Sequence, residues 1–99
     1  MKSSNDFSML LTSFLSKYLP GQRNVSTNTV MSYRDNFKLF ICYCTDERGF
    51  PLKGIQMQCI DRKMVLDYLG WLELKRGCSI STRNQRLAAF KSFFHYVAT

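Results

Sequence analysis

Apolar and aromatic residues recur every three or four positions in four separate blocks of this chain, and glycine or proline closes the first three. A helix turns about 100° per residue, so this spacing gathers the side chains on one helical face; strand residues would alternate with period two. The first block, Phe7, Leu10, Leu11, Phe14, Leu15 and Tyr18, has Asn5 or Asp6 as cap and stops at Pro20 and Gly21. A second follows Ser26, another good cap, with Val30, Tyr33, Phe37, Phe40, Ile41 and Cys44 on one side and Gly49 and Pro51 as its stop. Leu52 to Ile60 carries apolar residues at irregular intervals and is expected to be a loop with some extended character, a strand pair being the alternative. Asp61 opens the third block, whose stripe is Val65, Tyr68, Leu69 and Leu72 and whose stop is Gly77. Gly70 costs that helix up to about 1 kcal/mol relative to Ala and is expected to admit a close neighbour. Ser81 is the expected cap of the fourth, which buries Leu87, Phe90, Phe94 and Val97 with Phe93 at the margin. Four helices without a convincing strand predict an all-α bundle, one domain over residues 1–99.

Charge narrows the partners. Fourteen Lys and Arg against seven Asp and Glu give +7, shared as +3 over residues 1–60 and +4 over 61–99, which favours a polyanion. No run of about 18 apolar residues is long enough to span a bilayer, and MKSSNDF places an aspartate where a secretory signal needs apolar residues. A cytoplasmic location is expected, with no membrane partner. Cys42 and Cys44 lie two apart on a helix and therefore point apart, while Cys59 and Cys78 stand alone. The expectation is buried free thiols, no metal and no cofactor.

The stretch CSISTRNQRLAAFKSFFHYV starts polar and basic and finishes aromatic. Rotation about the helix axis puts Ser81, Asn84, Gln85, Ala88 and Ser92 opposite the apolar stripe, with Thr82, Arg86 and Ala89 on one flank. Amides pair with adenine edges, Arg with guanine, Ser and Thr with phosphates, and Ala lets the backbone come close. VSTNTVMSYRDNFK opens the second helix in the same manner, with Thr27, Asn28, Thr29, Ser32 and Arg34. Two such fronts side by side suit one major groove. The competing reading is that hydroxyls at a cap and Arg or Gln on a wet face are ordinary features of any surface helix.

The order STNTVMSYRDNFKLFICYC, IDRKMVLDYLGWLE, RGCSISTRNQRLAAFKSFFHYV, from about Phe7 to Val97, resembles the N-terminal core-binding, SAM-like domain of tyrosine recombinases and phage integrases. The resemblance implies a four-helix orthogonal bundle forming the N-terminal half of a clamp around double-stranded DNA, with a catalytic domain downstream. It also implies contacts with other recombinase protomers, to which the first helix contributes. Carried over by position, the groove-facing residues are Thr27, Asn28, Thr29, Ser32 and Arg34 on one helix and Ser81, Thr82, Arg83, Gln85, Arg86 and Lys91 on the other, with Met31 at the same surface.

The chemistry of that family needs a His-x-x-Arg and further cations around a nucleophilic tyrosine, whereas His95 is followed by Tyr96, Val97 and Ala98. Tyr33 and Tyr96 therefore read as core or rim residues, the chain as a non-catalytic fragment, and its role as positioning on DNA. One rival is a basic protein-interaction module using Trp71 and the rim of the first helix. Another is a helix-turn-helix regulator, which the long segment between the two candidate DNA helices disfavours.

Overall fold

The computed structural model describes residues 7–22, 24–50, 55, 57 and 60–98. The chain falls into two compact units, Met1–Met57 and Gln58–Thr99, and no strand occurs among the described residues. The fold is all-α.

In the first unit, helix α1 covers Phe7–Ser13 and runs on through a wider π turn at Phe14–Tyr18 and a 3-10 turn at Leu19–Gly21. Pro20 has no N–H to offer the Ser16 carbonyl, so the regular ladder cannot continue. One turn earlier the Ser16 hydroxyl donates to the Thr12 carbonyl at 2.6 Å, competing with the backbone for that acceptor. The Leu19 N–H reaches back five residues to Phe14. The expected stripe survives this widening, since Phe7, Leu11 and Phe14 are buried. Asn5, Asp6 and Pro51 lie outside the described residues, as does most of Leu52 to Ile60.

Helix α2, Thr27–Asp46, begins where the sequence places it: the Thr29 N–H donates to Ser26 Oγ at 3.1 Å. Its buried face is Asn36, Phe37, Phe40, Tyr43 and Cys44, centred on Phe40, with Val30, Tyr33 and Ile41 half-buried on the flanks. Phe37 meets Phe14 edge-on at 6.4 Å, and Phe14 stacks on Tyr18 at 5.9 Å. Cys59 lies outside the described residues, and among the described cysteines only Cys44 fulfils the expectation of a buried thiol. Cys42, two positions away, is exposed, and Cys78 is half-buried.

In the second unit Asp61 caps α3, Arg62–Arg76, by accepting from the Met64 N–H at 2.9 Å. Met64 joins the expected stripe of Val65, Tyr68, Leu69 and Leu72. Gly49 after α2 and Gly77 after α3 adopt φ of +74° and +65°, a left-handed turn that side chains resist. Each lets the next N–H return to the helix, Phe50 to Cys44 and Cys78 to Leu72. At Gly70 the expected close neighbour is not found: among the described residues no atom lies within 4 Å of where a Cβ would stand.

Helix α4 spans Ile80–Ala98 and is capped by Ser79, not Ser81. The turn after Gly77 is so short that Ser79 Oγ already accepts the Thr82 N–H at 3.1 Å and its carbonyl accepts the Arg83 N–H at 2.9 Å. The buried residues are Ala89, Phe90 and Phe93, while Phe94, Leu87 and Val97 are only half-buried. Phe93 and Phe94 thus exchange the places expected of them. The core-facing direction is turned by roughly 60° from the predicted stripe, at about 100° per residue.

Candidate nucleic-acid interface

That rotation decides which side chains α4 shows to solvent. Ser81, Asn84, Gln85, Ala88, Lys91 and His95 are exposed, in a band with no acid. Thr82, Arg83 and Arg86, expected at the DNA surface, are half-buried. Ser92 is half-buried and Ala89 fully buried.

Thr82, Arg83 and Arg86 each have a partner. Thr82 belongs to the cap, its hydroxyl accepting from Ser79 Oγ at 3.1 Å. Arg83 Nε lies 3.2 Å from Glu73 Oε1 on α3, an ion pair between the two helices. Arg86 donates to the hydroxyl of Tyr68, a ring held by Trp71 stacked at 6.3 Å and Phe90 edge-on at 5.8 Å. Burial pushes the Tyr68 hydroxyl up to about 12, outweighing the opposite pull of the Arg86 guanidinium, so the group stays neutral. The Tyr68–Arg86 tie therefore joins a neutral acceptor to a charged donor.

The acids of this unit are spent internally as well. Asp61 caps α3, Asp67 pairs with Lys63 at 2.9 Å, and Glu73 holds Arg83. No ion pair or side-chain hydrogen bond engages Asn84, Gln85 or Lys91 among the described residues. Beside this band a cleft of about 590 Å³ opens between α3 and α4, with Val65, Leu66, Phe90 and Phe94 among its walls and Arg62 and Lys91 at its polar positions.

On α2 the result is similar. Thr27, Asn28, Met31, Ser32 and Arg34 are exposed, whereas Thr29 is half-buried and its hydroxyl lies 3.1 Å from the capping Ser26 Oγ. The same Ser-x-x-Thr cap is thus built twice, at Ser26–Thr29 and Ser79–Thr82, and in both places it withdraws the threonine. Two exposed residues escaped the sequence reading: Lys38, one turn beyond Arg34, and Asp35, one turn beyond Met31. Their signal is the four-residue spacing itself. Asp35 makes the α2 front less uniformly basic than its opening suggests.

The exposed fronts of α2 and α4 thus present amides, hydroxyls and a few cations. Residues 11–99 match the model of the family described as phage integrase, N-terminal SAM-like domain. Two Sinorhizobium fredii proteins, each named "Putative integrase/recombinase" (y4rD and y4rC), are 39% and 36% identical over 89 residues, or 90% of this chain. The chain spans only between about a quarter and a third of their length, 32% and 27% respectively. No solved structure matches it. With an all-α fold and a match over almost its whole length, the chain belongs to the family of phage integrase N-terminal SAM-like domains.

Proposed function

We propose that the chain binds duplex DNA through the exposed fronts of α2 and α4, serving site-specific recombination by holding DNA while chemistry is supplied from elsewhere in the whole protein. The observation that carries this reading is the acid-free outer band of α4, Ser81, Asn84, Gln85, Ala88 and Lys91, beside which every acid of residues 61–99 is engaged internally. From α2 the contacts are Thr27, Asn28, Ser32 and Arg34, with Lys38 added. Lys91, Arg34 and Lys38 neutralise phosphates and set the register, while the amides read base edges. The whole protein then works as a tyrosine recombinase in the cytoplasm, on DNA with other protomers.

A second reading has its own support. Leu74 is 85% exposed on α3, with Leu66 on the same outer side, and Gly70 between them leaves open space. That face suits protomer contacts and is compatible with DNA binding elsewhere.

A salt titration of binding to a labelled duplex tests the main proposal. Affinity should fall steeply between about 50 and 200 mM salt, the log–log slope reflecting several phosphate contacts at about 0.9 each. Binding that is absent, or flat with salt, refutes DNA recognition.

A further inference from the structure

We infer that Asn84, with Gln85 beside it, is the base-reading residue of α4 and selects an A·T pair, and that Arg83 and Arg86 take no part in reading DNA. This rests on the DNA-binding reading above. A helix with two arginines in its front half would ordinarily be expected to read guanine, since Arg pairs bidentately with the guanine edge. Here both guanidiniums serve α3, Arg83 through the Glu73 carboxylate at 3.2 Å and Arg86 through the Tyr68 hydroxyl, and both residues are half-buried.

What remains outward is the two amides of Asn84 and Gln85, with the Ser81 hydroxyl, Lys91 and His95 in the same band. Asn84 lies near the middle of the exposed band, with Ser81 one turn before it and Ala88 one turn after. Its side chain is short, so reading a base requires the helix to come close to the groove floor, and the single methyl of Ala88 permits that approach. Lys91, nearly two turns along, supplies a phosphate contact that fixes the depth. A carboxamide presents one donor and one acceptor, the complement of the N6 and N7 edge of adenine. No acid in the band offers the acceptor that a cytosine amino group needs.

The experiment selects preferred sequences from a randomised duplex pool with the 99-residue chain, then measures affinity for a selected and a scrambled duplex. Selected sequences should share an A·T pair, and replacing it with G·C should weaken wild-type binding about 5- to 150-fold. Asn84→Ala should lose the same factor on the selected duplex, bind the scrambled one as wild type does, and melt at an unchanged temperature. Arg83→Gln should keep the ratio between the two duplexes. The inference falls if Asn84→Ala keeps that ratio, if Arg83→Gln erases it, or if the shared pair is G·C. No binding to any duplex by the wild-type chain overturns the DNA-binding proposal itself, a result distinct from binding whose preference ignores Asn84.

Discussion

Replacing Arg86 by alanine separates an arginine that faces DNA from one that faces its own fold. On an open helix surface such a change stays within roughly 0.5 kcal/mol. Arg86 instead donates to Tyr68, whose residue is 0% exposed and whose ring is fixed by Trp71 and Phe90. Removing the guanidinium takes a charged donor from a buried hydroxyl and also strips the aliphatic stem from the α3–α4 contact. The loss of that partner sets the scale at about 1–3 kcal/mol. One kcal/mol corresponds to about 4–8 °C in Tm for a domain of this size. Urea unfolding followed by circular dichroism measures it directly. Tyr68→Phe removes the acceptor, so Arg86→Met in that background should cost less than Arg86→Met alone, because no hydroxyl is left unsatisfied. Arg86→Ala at wild-type stability would refute the inward placement and return Arg86 to the DNA surface.

Four further outcomes follow from the same packing and capping. Ser79→Ala should cost about 1 kcal/mol by deleting the α4 cap, while Ser81→Ala should leave stability almost unchanged, both read by thermal melting. Phe93→Ala should cost about 3–5 kcal/mol and exceed Phe94→Ala, because Phe93 is fully buried and Phe94 is not; denaturant midpoints decide the order. Gly70→Ala should raise stability by about 0.5–1 kcal/mol, since the added methyl meets only open space and the helix gains propensity. Tyr68 titrates near its ordinary value of 10 when unfolded and at about 12 when folded, so its contribution is complete below pH 10 and declines as pH rises toward 12. Unfolding measured across that window should show a slope that Tyr68→Phe reduces.

Much of the fold is legible because helix limits are local chemistry. Ser26, Asp61, Gly49 and Gly77 each act within a few residues of themselves, and each does what its residue type predicts. The π turn at Phe14–Tyr18 was not legible, since it arises from the Ser16 hydroxyl and the missing Pro20 N–H acting together on one ladder. Ser79 was overlooked as a cap because Ser81 is equally good chemically. Only the length of the turn after Gly77 separates the two.

The site was harder to read for a different reason. A hydrophobic stripe finds the buried face only when that face is apolar throughout, and on α4 it begins with Thr82 and Arg86 and continues through the small Ala89 before reaching Phe93. Thr82 and Arg86 are half-buried for what they bond to and Ala89 is buried for how closely it packs, so the predicted stripe swung toward Leu87 and Phe94. An arginine in a basic chain also has two possible destinations, a phosphate outside or an acceptor inside. Residue type cannot separate them, because the acceptors are Tyr68 and Glu73 on another helix. An amide has the same two destinations, as the buried Asn36 shows, so it is the rotation of α4, not residue type, that leaves Asn84 and Gln85 facing outward where the proposed base contacts would need them.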